Sequence, residues 1–263
     1  MTQTMSATAQ ATGIVPQRTV PAAIVLYRPD ALLLEKQLAA LERNGRRLIL
    51  YANGPLDAAI ARRFARLPNA VMLGSPVNLG HGEGLNAVAR QAIAEGFSHL
   101  LLLDQDSEPS SDLPERLREQ LAAAEQQNGR LAAIGPLLVP PPGEGYRAIR
   151  YQWRDARRGE ALFLPTSGTL LALDAFARIG AFRADYFIGG IDVEWGLRAD
   201  WPAPIGWSGF NVSAWRVLAL RPGWPAKLVR VAQPATGWLP VRAACSPAMN
   251  AVAPYCSAAA TLR

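Results

Sequence analysis

The chain has two cysteines, Cys245 and Cys256, and two histidines, His81 and His99, in 263 residues. Neither pair has the spacing of a metal-binding cluster, and both cysteines lie late, so no zinc or disulfide framework is expected. No apolar run approaches the roughly 18 residues needed to cross a bilayer. Residues 1–20 are small and polar, without a basic or an apolar stretch, and read as a disordered leader instead of an export signal. Reduced thiols in a cytoplasm are then the expectation. Charge of one sign is also scarce in the body. The net charge is +6, yet residues 199–263 carry six bases against Asp200 alone, leaving 21 bases against 20 acids in the rest. No basic stripe is interleaved with aromatics in the body, so nucleic acid is not an expected partner.

Half of the residues are hydrophobic, enough for one large α/β domain. Apolar strands are expected at 22–27, 47–51, 70–73, 100–103 and 131–134. Helices are expected after Asp30, over about 56–66, through 78–95, from Ser111 or Asp112 to about Gln127, after Asp174, and over 191–199. Asp30 and Asp174 read as helix caps, and Pro114 belongs in a first turn. Residues 146–153 and 161–164 pair as strands around an Arg157-Arg158-Gly159 turn, and 139–143 is a proline-rich loop. Thr166 to Thr169 opens a strand of small residues. This β-α alternation with short turns calls for a parallel sheet covered by helices on both faces.

The run Leu100-Leu101-Leu102-Leu103 reads as a strand buried on both faces, and it stops in Asp104-Gln105-Asp106-Ser107. In an open α/β sheet, ligands bind beyond the carboxyl ends of strands, which puts two carboxylates at the mouth of a cleft. Hard oxygen donors at that spacing suit Mg2+ or Mn2+ holding a diphosphate; the alternative is a solvated turn. Asn78-Leu79-Gly80-His81-Gly82-Glu83-Gly84-Leu85-Asn86 brings three glycines to a helix start. Backbone can approach an anion there, or the glycines mark an ordinary helix entry. It lacks the spacing of a dinucleotide fingerprint and the Gly-Lys-Ser/Thr of a phosphate loop. His81 in this turn is a ligand-contact candidate, whereas His99 reads as structural. In Phe187 to Arg198, Asp192 falls at a helix start, and Glu194 and Arg198 have the spacing of a helix ion pair.

Together these stretches resemble the inverting family-two glycosyltransferases of GT-A fold, and most of all bacterial rhamnosyltransferases of cell-surface polysaccharide synthesis. The matching segments are 23–29, 78–86, 101–107, 166–170 and 187–198, covering about residues 20–199. The resemblance implies a single, mostly parallel, Rossmann-like sheet flanked by helices over 21–199, followed by an irregular, divergent, basic Trp- and Pro-rich tail over 200–263. It implies a donor site formed by Tyr27, Asn53, Asn78, Gly80, Gly82, Asn86 and Asp104, with Mg2+ or Mn2+ on Asp106 and Asp104. Thr166, Ser167, Gly168 and Trp195 would border the sugars, Trp195 by stacking, and Asp192 would be the base.

The expected donor is dTDP-rhamnose, the acceptor a saccharide or lipid-linked saccharide, and the location cytoplasmic or peripheral to the inner membrane. A catalytically inactive nucleotide-sugar binder and a sugar nucleotidyltransferase are the alternatives. The chain departs from the family pattern in three places. Arg28 stands where Asn is usual, Ala52 where an acid is usual, and no histidine follows His99. Residues 200–263 lack the family's helix and strand, as a divergent tail or one from a shifted reading frame.

Overall fold

In the computed structural model, residues 19–42, 45–128, 130–136, 152–153, 158–161, 163–200, 216–220 and 228–230 are described. They all belong to the first of two units, which divide between Ala232 and Gln233. The proline-rich segment 139–143 and the leader through residue 18 lie outside them.

Strand β1 (Ala22–Leu26) is an unbroken apolar run and is buried throughout. It feeds α1 (Ala31–Glu42), whose start is fixed by Asp30: the Oδ1 accepts from the backbone N–H of Leu32 and Leu33, both at 2.9 Å. Leu34, Leu38 and Leu41 then recur at helical spacing and are buried. β2 (Leu48–Asn53), α2 (Ala58–Phe64, capped by Asp57) and β3 (Ala70–Ser75) follow. The chain continues through α3 (His81–Ala94), β4 (His99–Asp104), β5 (Ser107–Pro109), α4 (Leu113–Asn128) and β6 (Leu131–Pro136). Beyond it come β7 (Gln152–Trp153), β8 (Arg158–Ala161), β9 (Thr169–Ala172), α5 (Leu173–Ile179), a 3-10 turn (Ala184–Tyr186) and α6 (Ile191–Asp200). Two strands from the tail complete the set, β10 (Arg216–Leu220) and β11 (Leu228–Arg230).

The main sheet runs β3-β2-β1-β4-β9-β6-β10-β8-β7. Its first four strands are parallel, with β1 flanked by β2 and β4. β9 is antiparallel to both β4 and β6, and β10 returns parallel to β6. The period of two along β1 divides the core into two layers. Ala22, Ile24 and Leu26 join Leu34, Leu38, Ile60, Phe64, Leu113, Leu117 and Leu121 of α1, α2 and α4 on one face. Ala23 and Val25 join Leu85, Val88, Phe176, Ile191 and Trp195 of α3, α5 and α6 on the other. Helices therefore cover both faces, as the alternation required.

Several expectations need correction. Asp174 lies inside the first turn of α5, where it accepts from the N–H of Ala175 at 2.9 Å, and Ala172 holds the cap position. Arg158 and Gly159 belong to β8, paired with Gln152 and Trp153 of β7 (Gln152↔Glu160, Trp153↔Gly159), so they do not form the turn. Within the expected tail, the described residues 216–220 and 228–230 are β10 of the main sheet and β11 of a two-stranded ribbon with β5. β5 itself is too short to show a period in sequence.

The parallel direction of β1 and β4 brings their carboxyl ends to one edge, with Val25 beside Asp104. Because β9 runs the other way, its leading turn, Thr166 to Gly168, comes to that same edge. The Gly168 N–H donates to the Leu102 carbonyl at 2.8 Å, which seals the turn against β4.

Candidate active site

Where β4 ends, the chain turns through Asp104, Gln105 and Asp106, all half-buried. The carboxamide of Gln105 ties this turn to the end of β1. Its Oε1 accepts from the Tyr27 N–H at 2.8 Å and its Nε2 donates to the Tyr27 carbonyl at 3.1 Å. Gln37 of α1 donates from Nε2 to the Asp104 carbonyl at 2.8 Å. The Asp104 carbonyl and the side chain of the next residue are thereby held. Tyr27 is 38% exposed at the lip of this edge, with the Arg28 guanidinium 5.3 Å from its ring centre. Arg28 itself has φ +46°, a conformation that Asn adopts more readily than Arg.

Thr166 connects this turn to the third acid. Its Oγ1 donates to Asp104 Oδ1 at 3.3 Å. It also lines a small cavity together with Leu102, Phe182, Asp192, Trp195 and Gly196. The cavity holds about 20 Å³, room for one water. Asp192 lies in the first turn of α6, where Oδ1 accepts from the Val193 N–H at 2.9 Å. Thr166 thus touches Asp104 through its hydroxyl and shares with Asp192 the lining of this small cavity.

No family model matches the chain. The N-acetylglucosaminyl-diphospho-decaprenol L-rhamnosyltransferase of Mycobacterium tuberculosis (strain CDC 1551 / Oshkosh) is 26% identical over 234 residues, covering 76% of this chain and 75% of that protein. The protein of the same description from strain ATCC 25618 / H37Rv gives the same figures. Among solved structures, GalNAc-T7 with UDP, GalNAc and Mn2+ superposes with a TM-score of 0.61 at 11% identity, over 82% of this chain and 44% of that one. TarS 1-349 of S. aureus in complex with UDP superposes at 0.56 and 12% identity, over 82% and 61%. The chain thus spans under two thirds of either neighbour's length. It has the GT-A glycosyltransferase fold. The resemblance read from the motifs is borne out in fold and in sequence likeness.

In this GT-A fold, several residues expected at the nucleotide make contacts within the chain. Asn86 is 3% exposed and makes two hydrogen bonds to the backbone of Phe182. Asn53 is buried, and its Oδ1 accepts from the Leu79 N–H at 2.8 Å. Asn78 Oδ1 accepts from the Gly80 N–H at 2.9 Å, a local turn bond. Gly82 and Gly84 lie within α3 and not in a turn before it. A Cβ on Gly82 would come 3.0 Å from Ala184 Cα, and on Gly84 2.6 Å from Val25 Cγ1. Gly80 has φ +90°, and a Cβ there would meet the Phe187 carbonyl at 2.8 Å. At these glycines the missing Cβ lets neighbouring chain come close.

Among the sugar-side residues, Ser167 is buried and shares a hydrogen bond with Ser107, and Gly168 shapes the turn at φ +80°. Trp195 is 4% exposed, packs its ring 5.4 Å from Phe182 and donates from Nε1 to the Gly180 carbonyl at 2.9 Å. The expected stack on a sugar gives way to a core position. Thr166 is the member of this group whose hydroxyl reaches an acid. Glu194 and Arg198 form the expected ion pair at 2.6 Å. His81 is half-buried, and its backbone N–H donates to the Phe187 carbonyl at 2.6 Å. Burial holds the His99 imidazole below the usual value, with Ser98 Oγ 2.8 Å from Nδ1.

Among the described residues no group of three or more His, Cys, Asp or Glu could form a closed metal cage. Asp104 and Asp106 are two half-buried carboxylates on one turn. Such a set fits Mg2+ or Mn2+, because Mg2+ in particular is commonly held by one or two carboxylates with water and substrate phosphate supplying the rest. Gln37 and Gln105 carry no local signal that marks them as supports. Both signals lie in contacts between residues more than 60 positions apart.

Proposed function

We propose that the chain is an inverting, metal-dependent glycosyltransferase that moves rhamnose from dTDP-rhamnose to a lipid-linked saccharide. The observation that carries this reading is the hydroxyl of Thr166, which bonds to Asp104 and lines the hollow that Asp192 also borders. The donor and acceptor classes are suggested by the rhamnosyltransferase of M. tuberculosis, whose name specifies a decaprenol-linked N-acetylglucosamine. Among the described residues no helix is long and apolar enough to cross a membrane. A lipid-linked acceptor would be met at the membrane's inner face by peripheral contact.

In this reading Tyr27 offers its exposed ring to the base, and Asp104 and Asp106 hold Mg2+ or Mn2+. When bound, the ion supplies positive charge against the departing diphosphate. Asp192 takes the proton of the acceptor hydroxyl as that oxygen bonds to the anomeric carbon. The bond from that carbon to the diphosphate oxygen breaks on the opposite side, which inverts the centre. A metal-bound carboxylate oxygen is a poor base, so the acid at 192 has to be separate from those at 104 and 106. Proton removal of this kind contributes about 10²–10⁴-fold. Asp192→Asn should lower kcat by about that factor while dTDP binding in the presence of Mn2+ is retained, measured by turnover and by calorimetry. Transfer that survives the substitution would remove Asp192 as base. Binding without turnover in the unsubstituted chain would favour a nucleotide-sugar-binding module instead.

A further inference from the structure

The Gly-rich segment at the start of α3, expected to touch the nucleotide, faces another part of the chain. Asn86 Nδ2 donates to the Phe182 carbonyl and Oδ1 accepts from the Phe182 N–H, both at 2.9 Å. Each end of the buried carboxamide therefore has a main-chain partner, which closes it to a ligand. One turn earlier, the His81 N–H donates to the Phe187 carbonyl at 2.6 Å. The absence of a Cβ at Gly80 and Gly82 lets the backbones of α3 and residues 184–187 touch, since an added Cβ would lie 2.8 Å from Phe187 O and 3.0 Å from Ala184 Cα.

The same segment is gripped from its other side by α6. Trp195 Nε1 donates to Gly180 O at 2.9 Å, Arg198 Nη1 to Ile179 O at 2.8 Å, and Arg198 Nη2 to Ala181 O at 2.7 Å. Glu194 holds that guanidinium in place through Nε at 2.6 Å. Residues 179–187 are thus bonded to both α3 and α6, and α6 carries Asp192 in its first turn. Phe182, the residue clamped by Asn86, packs its ring at a tilt of 40° against Trp195, and both line the cavity next to Asp192.

We propose that the first half of α3 sets the position of Asp192, with Asn86 as a positioning residue acting through Phe182 and α6, and that it makes no contact with the nucleotide. This rests on the reading of Asp192 as the base. A carboxylate moved by about 1 Å loses about 10²-fold in rate without any loss of donor affinity.

Two variants test it. Asn86→Asp keeps the size but sets a carboxylate oxygen against the Phe182 carbonyl with no proton between them. Gly82→Ala keeps every hydrogen bond and gains helix propensity, yet presses on Ala184, so it separates displacement from instability if the first variant folds poorly. Hydrogen exchange by mass spectrometry should rise in peptides covering 180–199 and stay level in those covering 22–30 and 99–107. The Kd for dTDP with Mn2+ and the donor KM should hold, while kcat falls about 10- to 100-fold. Unchanged exchange in 180–199 would overturn the proposal. So would a loss of dTDP affinity of about tenfold at constant kcat, which would return the segment to the nucleotide. If the unsubstituted chain neither bound dTDP nor transferred sugar, the transferase reading would fall, and the exchange pattern alone would still decide whether α3 positions α6.

Discussion

Trp195→Phe separates two roles for one residue, a stacking surface for sugar and a strut of the core. The indole donates its N–H to the Gly180 carbonyl at 2.9 Å and packs against Phe182 at 5.4 Å. Phenylalanine retains a ring against Phe182 but leaves that carbonyl without its partner, at a cost of about 1–3 kcal/mol. It also empties the space of the second indole ring, worth about 0.8 kcal/mol for each lost carbon group. Together these destabilise by about 2–4 kcal/mol, allowing for relaxation around the existing cavity. For a chain of this size each kcal/mol lowers Tm by about 2–4 °C. Calorimetry should therefore find a Tm lowered by about 4–16 °C, with the donor KM little changed near 20 °C. A variant with the Tm of the unsubstituted protein and a raised donor or acceptor KM would refute the argument. It would mean that the indole leaves the core to meet a sugar.

Three further outcomes are expected. Thr166→Val removes the 3.3 Å hydrogen bond to Asp104; Mn2+ titrated at fixed dTDP should bind about tenfold more weakly, the low end for a lost supporting bond, and an unchanged titration would detach Thr166 from the acid. Gly84→Ala gains about 1 kcal/mol of helix propensity but forces a methyl to 2.6 Å from Val25 Cγ1, and overpacking of about 1–3 kcal/mol should win. A Tm at or above that of the unsubstituted chain would show that α3 backs away freely. His99 is held below its ordinary value of 6.5 by burial, so on acidification the unfolded chain takes up that proton first. Its contribution to stability is present above about pH 6.5 and is lost as pH falls from there toward the folded value. His99→Gln should flatten that part of a chemical-denaturation profile, and parallel profiles for the two proteins would count against it.

Much of the fold was legible from local pattern. Unbroken apolar runs such as Leu100 to Leu103 need burial on both faces, and Asp30 announces a helix by an oxygen that only an N-terminus can use. The acid turn was equally visible, because two carboxylates closing a buried strand can go nowhere but a sheet edge. The turn at Thr166 and the acid at 192 were found by motif, and their common hollow came from β9 running against β4. Strand direction has no local signature, since an apolar run packs equally well either way. The three-residue β5 and its partner β11 were missed for a similar reason: too short to show a period, they exist through each other.

The sequence by itself determined the longer buried strands and capped helices, and where acids could meet solvent, because burial and capping act within a few residues. Only the tertiary structure decided what the small and amide residues do. Glycines, asparagines and glutamines carry no net charge and little apolar surface, so their roles follow entirely from what lies opposite. Asn86 meets Phe182 across 96 residues and Gln105 meets Tyr27 across 78. Those distances along the chain are why a motif that reads as a ligand loop became a clamp, and why Trp195 became part of the core.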